Sequence, residues 1–188
     1  MQRARSTCAV RKACGFTLLE LMAGIAVLGV LLGIGIPSFR DLLANSRLTS
    51  MSNEMVTAIS IARSEARKRG IPVSICASNA ARDGCVAGGS WNSGWLVFTD
   101  DVGTAGVINA GVPGDELLQI FTAPETGFAV TATTPTTLSY VRFQRNGAPD
   151  TGAVTRQIKL TRPACTGTKA RQISITNTGR VSSAKIAC

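Results

Sequence analysis

The sequence predicts an α+β fold: one long N-terminal α-helix, membrane-spanning in its first half and amphipathic in its second, packed on an antiparallel β-sheet. Three observations carry this expectation. An apolar run from Phe16 to Ile36 is interrupted only by Thr17 and Glu20. Apolar residues then recur at helical steps as far as Gly70, and after Pro72 short β-prone runs alternate with Gly, Asn, Asp and Thr/Pro turns.

The first run is long enough to cross a hydrocarbon layer of roughly 30 Å at about 1.5 Å per helical residue. Arg3, Arg5, Arg11 and Lys12 precede it, and a basic leader holds the N-terminus in the cytoplasm, sending the rest of the chain outward. The run exceeds the roughly 7–15 apolar residues of a secretory signal and flows into Pro37, where a kink is expected. Leu48, Met51, Met55, Ile59, Ala62 and Ala66 then form a stripe at steps of three and four. Arg67, Lys68 and Arg69 suit the negative end of the helix dipole, Gly70 its C-cap and Pro72 its stop. The chain therefore divides into a leader (1–15), a membrane half (16–37), an amphipathic half (38–70) and a β-rich domain (71–188). Strands are expected at Val73–Cys76, Trp95–Phe98, Leu117–Phe121, Leu138–Phe143, Val154–Leu160 and Arg171–Thr176. The last of these alternates cleanly, as a strand with one buried face does.

Glu20 is the residue that membrane anchoring alone leaves unexplained. A carboxylate within an apolar helix costs on the order of 2.5–3.5 kcal/mol near the bilayer centre unless it finds a partner. Composition narrows the chemistry further. The 188 residues contain no histidine, which removes Ser-His-Asp and Cys-His nucleophilic machinery together with the commonest zinc and haem ligand. No carboxylate pair stands ready for acid–base work, so neither an enzyme nor a cofactor or metal centre is expected. The formal charge of +9 is unevenly placed. A basic head is followed by a middle from Asp83 to Val141 in which every charge is acidic, then by a tail in which Asp150 is the lone acid.

Gly15-Phe16-Thr17-Leu18-Leu19-Glu20-Leu21-Met22, behind a basic leader and ahead of a long apolar helix, resembles the prepilin processing motif of type IV pilins and type II secretion pseudopilins. Ala62 to Gly70 followed by Val73 to Ser78, with Trp91-Asn92-Ser93-Gly94-Trp95-Leu96-Val97-Phe98 and Asp100, is similar to the GspH/FimT group of minor pilins and pseudopilins. The resemblance implies a pilin fold and cleavage by a prepilin peptidase between Gly15 and Phe16, with methylation of the new amino group of Phe16. Glu20 would pair with that amino group on a neighbouring subunit. It further implies a single-pass protein of the bacterial inner membrane with a periplasmic domain, partnered by other pilins or pseudopilins and an inner-membrane assembly platform. Its role would be that of a low-abundance subunit near the filament tip that primes assembly.

Cys8 and Cys14 would leave with the leader, and Cys76, Cys85, Cys165 and Cys188 would enter an oxidising compartment. Three pairings are possible. Cys76 with Cys85 and Cys165 with Cys188 is preferred, because the first closes a Gly-rich loop and the second pins the chain end to the sheet. Two binding readings complete the set. Asp100, Asp101, Asn109, Asp115 and Glu116 supply the oxygen types that calcium takes, without the spacing of an EF-hand. Lys169, Arg171, Arg180 and Lys185 are candidates for DNA. Some members of the resembled group take up DNA through a Gly-Arg-x-Arg stretch, of which Gly179-Arg180-Val181-Ser182 keeps the first arginine and lacks the second.

Overall fold

The computed structural model describes residues 17–109, 115–150 and 154–188. The chain forms two units, residues 1–41 and 42–188. Helix α1, Leu18–Arg69, is 52 residues long and contains Pro37, so the proline does not divide it into two helices. At its start the Thr17 hydroxyl accepts the Glu20 amide (3.2 Å), filling one of the donors that every helix leaves open. At its end the Gly70 amide donates to the Ala66 carbonyl (3.1 Å) with φ at +69°, a conformation that glycine adopts without strain.

In the second unit the helix buries Leu48, Met55, Ala58, Ile59, Ala62 and Ala66, the predicted face with Met51 partly buried beside it. Eight strands follow: β1 Val73–Ala77, β2 Trp95–Thr99, β3 Leu117–Phe121, β4 Ala129–Thr134, β5 Tyr140–Phe143, β6 Arg156–Thr161, β7 Ala170–Ile175 and β8 Val181–Ile186. All strand pairs are antiparallel. They form two four-stranded sheets, β3-β2-β1-β5 and β4-β6-β7-β8, where the sequence indicated one. The two strands absent from the expectation are β4 and β8. β4 reads Ala-Val-Thr-Ala-Thr-Thr, too poor in large apolar residues to stand out; β8 is a mostly exposed edge formed by pairing with β7.

One core joins the helix to both sheets, with Val73, Ile75, Val97, Val141 and Phe143 from the first and Val130, Ile158, Leu160, Ile173 and Ile175 from the second. Each such side chain, fully buried, stabilises the fold by about 1.5–3 kcal/mol. Trp91 is completely buried at the centre; its indole N–H donates to the Leu138 carbonyl (2.9 Å) and its amide to Val130 (2.9 Å). β1 and β2 are buried on both faces. Their other face carries Cys76, Leu96 and Phe98 in a smaller cluster against Cys85, Ile108 and Tyr140. The Trp-Asn-Ser-Gly-Trp stretch has a steric reason: Gly94 sits at φ +99°, and a Cβ there would strike the Phe121 carbonyl.

Candidate functional site

In the first unit, the described part of α1 presents an exposed, largely apolar surface. Every described residue of this unit, Thr17 to Asp41, is exposed, among them Leu18, Leu19, Met22, Leu28 and Ile34. The helix is long and apolar enough to cross a membrane. Glu20 lies in its first turn, three residues after Thr17. That is the position of a capping-box acid, so helix geometry alone accounts for part of its placement. The capping role of Thr17 was readable from Thr-x-x-Glu but was hidden by the apolar run around it. The proposed cleavage pair, Gly15 and Phe16, lies outside the described residues.

Two disulfides close the second unit: Cys76–Cys85, nine residues apart, and Cys165–Cys188, twenty-three apart. On the chain-entropy account, loops of these lengths contribute about 3 kcal/mol each against the unfolded state. The first lies within the smaller cluster, beneath a loop that continues from β2 and folds back over the sheet. Asp100 anchors that loop. Its Oδ2 accepts the Ser74 hydroxyl (2.5 Å) and the Gly106 amide (2.9 Å), and its backbone carbonyl accepts Arg142 Nη2 (2.6 Å). The acidic residues considered for calcium are thus distributed among separate structural partners. The Asp115 carboxylate accepts the Asn109 amide (2.9 Å) and Glu116 pairs with Arg69 (2.7 Å). Among the described residues no group of three or more His, Cys, Asp or Glu is placed to hold a metal ion.

Burial raises the Asp100 carboxyl above the ordinary carboxylate range, against the opposing pull of Ser74, Gly106 and Arg142. Its Oδ1 is buried with no hydrogen-bond partner among the described residues. The folded protein therefore keeps this proton to higher pH than the unfolded chain does. That contribution is complete below the unfolded value and is lost as pH rises through the raised folded value. Resistance to urea is expected to fall across that window, and Asp100→Asn to flatten the fall; a variant that follows the parent curve would assign the pH dependence to another group.

The basic candidates separate along the β7–β8 hairpin. Arg171 and Lys185 are cross-strand partners at one end, where Arg171 donates to the Thr49 hydroxyl (3.2 Å), with Lys169 just before β7. Arg180 lies beyond the other end, past the Ile175–Val181 pair, which at about 3.3 Å per residue is about 13 Å from Arg171. There it joins two arginines from α1 that the sequence reading left to the helix dipole or to a family signature. Arg63, Arg67 and Arg180, with Val56, Ser60, Ser64, Gly179 and Val181, line a groove of about 410 Å³. Arg63 Nε donates to the Gly147 carbonyl (3.0 Å) and Nη2 to that of Thr178 (3.1 Å).

A helix long and apolar enough to cross a membrane, whose continuation packs on antiparallel sheets, is the pilin fold. The profile described as Type II transport protein GspH matches residues 51–179, and that of the prokaryotic N-terminal methylation motif matches residues 10–36. The chain belongs to the GspH family of minor pilins and pseudopilins. It is similar to the type IV major alpha-pilin of Moraxella bovis, with 44% identity over 41 residues, 22% of this chain and 26% of that one. The match thus spans about a quarter of that relative's length. The crystal structure of the Pseudomonas aeruginosa type IV minor pilin FimU superposes with a TM-score of 0.53 at 19% identity, over 73% of this chain and 87% of that one. The second likeness is one of fold: a long N-terminal helix with antiparallel sheets. The apolar helix, long enough to cross a membrane, coincides with the prokaryotic N-terminal methylation motif.

Proposed function

We propose that this chain is a structural, non-enzymatic subunit at or near the tip of a type IV pilus or a type II secretion pseudopilus, where it helps initiate assembly. Prepilin peptidase cleaves it between Gly15 and Phe16 and methylates Phe16. The leader stays cytoplasmic, the helix is held in the bacterial inner membrane, and the disulfide-closed domain lies in the periplasm. An assembly platform then extracts it into the filament.

The observation that carries this reading is the exposed apolar helix surface from Leu18 to Ile36 with one carboxylate, Glu20, at its beginning. Lipid satisfies the apolar side chains but not Glu20. A neighbouring subunit's N-terminal ammonium does, which makes assembly the step that removes the desolvation penalty. Deletion of the gene is expected to reduce the major pilin sheared from the cell surface, with recovery on complementation. Unchanged surface pilin together with normal secretion would refute the priming role.

A DNA receptor on the same scaffold is the alternative. It has less support, because Arg180 stands apart from Lys169, Arg171 and Lys185 and the four do not make one continuous phosphate track. Binding of duplex DNA by the purified full chain that falls steeply with salt would favour it.

A further inference from the structure

The groove between α1 and the β7–β8 turn has an unusual lining. Three guanidinium groups line it and no carboxylate does. Among the described residues, neither Arg67 nor Arg180 forms a salt bridge, whereas Arg47, Arg69 and Arg142 each have an acidic partner. The site is also built by the backbone. Arg63 is tied to two carbonyls, from Gly147 in one turn and Thr178 in another, which neutralise none of its charge. Both turns depend on glycine: Gly147 has φ +79° and Gly179 φ +78°. A Cβ on Gly147 would lie 2.7 Å from Arg67 Cδ, and one on Gly179 would lie 3.0 Å from Arg63 Nε. Two positive-φ turns are thus pressed against the arginine stems, holding the heads where like charge accumulates. Such an arrangement is unfavourable alone and favourable with a bound anion.

We propose that this groove receives an aspartate- or glutamate-bearing loop of a neighbouring, non-identical pilin subunit. The inference rests on the filament reading above. Guanidinium forks bind carboxylate and phosphate alike, so shape decides between protein and DNA. Duplex phosphates lie on a convex cylinder and are met by protruding cations. Here the charges line a groove together with Val56 and Val181, and Arg63 is held to backbone carbonyls. A side chain or loop tip fills about 410 Å³; a duplex does not enter it. The Ser60 and Ser64 hydroxyls donate to the carbonyls of Val56 and Ile61, which leaves the arginines as the donors to the incoming acid.

The test uses the full chain in living cells with the photo-crosslinking residue p-benzoyl-phenylalanine at position 64, in the groove, and separately at position 28, in the apolar helix. The groove position is expected to capture a different pilin, at a segment containing Asp or Glu. Arg67→Glu with Arg180→Glu is expected to lower that yield about tenfold, and exchanging the captured acid for arginine to restore it. Arg67→Lys with Arg180→Lys keeps the charge and most of the yield, which separates recognition from misfolding. Capture of DNA, of a second copy of this chain or of a segment without acids overturns the proposal, as does a yield indifferent to charge reversal. Pilin capture at position 28 without capture at position 64 overturns the groove and leaves the filament reading standing; failure at both removes the two together.

Discussion

Glu20→Ala is expected to leave processing between Gly15 and Phe16 intact while lowering the amount of this subunit in sheared filaments about tenfold or more. The magnitude follows from the penalty. An unpaired acid in an apolar helix costs on the order of 2.5–3.5 kcal/mol, and a partner that recovers even about half of it changes an equilibrium roughly tenfold. Glu20 also occupies the third position of a helix capped by Thr17, so a lost cap is the competing cause. Thr17→Ala separates the two, since loss of a cap costs only about 0.5–2 kcal/mol at a helix end. If the subunit-pairing account is right, Thr17→Ala assembles nearly normally and Glu20→Ala does not. Immunoblots of sheared material, with the precursor-to-mature ratio in membranes as the processing control, read both. Normal co-assembly of Glu20→Ala would end the pairing account.

The second large effect is structural. Trp91→Ala is expected to destabilise the second unit by about 3–5 kcal/mol, the usual cost of emptying a buried aromatic site. That is a large share of the roughly 5–15 kcal/mol that holds a domain folded. Trp91 is fully buried, and its indole N–H satisfies the Leu138 carbonyl just before β5. Trp91→Phe keeps much of the volume and abandons that carbonyl, at a cost of about 1–3 kcal/mol. Pulse proteolysis of the purified full chain across a urea series should rank parent, Phe and Ala in that order. An Ala variant as resistant as its parent would mean that the surrounding side chains close the space.

Periodicity made the helix legible because both halves obey a simple rule. The first is apolar all round and the second apolar on one stripe, and Arg67 to Gly70 marks its end. Six strands were legible because Val, Ile, Leu, Phe and Trp concentrate in them. β4 and β8 were not, since Ala129–Thr134 and Val181–Ile186 draw their strand character from the neighbours they pair with. The division into two sheets is a fact of pairing and leaves no mark in local composition. Asp100 was visible as an acid and not as an anchor, because its partners Ser74 and Arg142 lie far away in sequence. The arginine groove was equally hidden: Arg63 and Arg67 are separated from Arg180 by more than a hundred residues and meet only through the fold.

The helix changes audience along its length. Up to Leu43 its side chains face whatever lies outside the chain; from Leu48 its buried stripe faces the chain's own sheets. Natural selection therefore acts on the two stretches through different partners. A substitution near Leu28 leaves the packing of the second unit untouched, and its consequence falls on whatever meets the exposed helix from outside. One at Met55 is judged by the core that the chain itself supplies, and can be compensated within a single gene. The matches follow that division, with the methylation motif over residues 10–36 and the GspH profile over 51–179. The anchor is free to remain common property while the head it carries diverges.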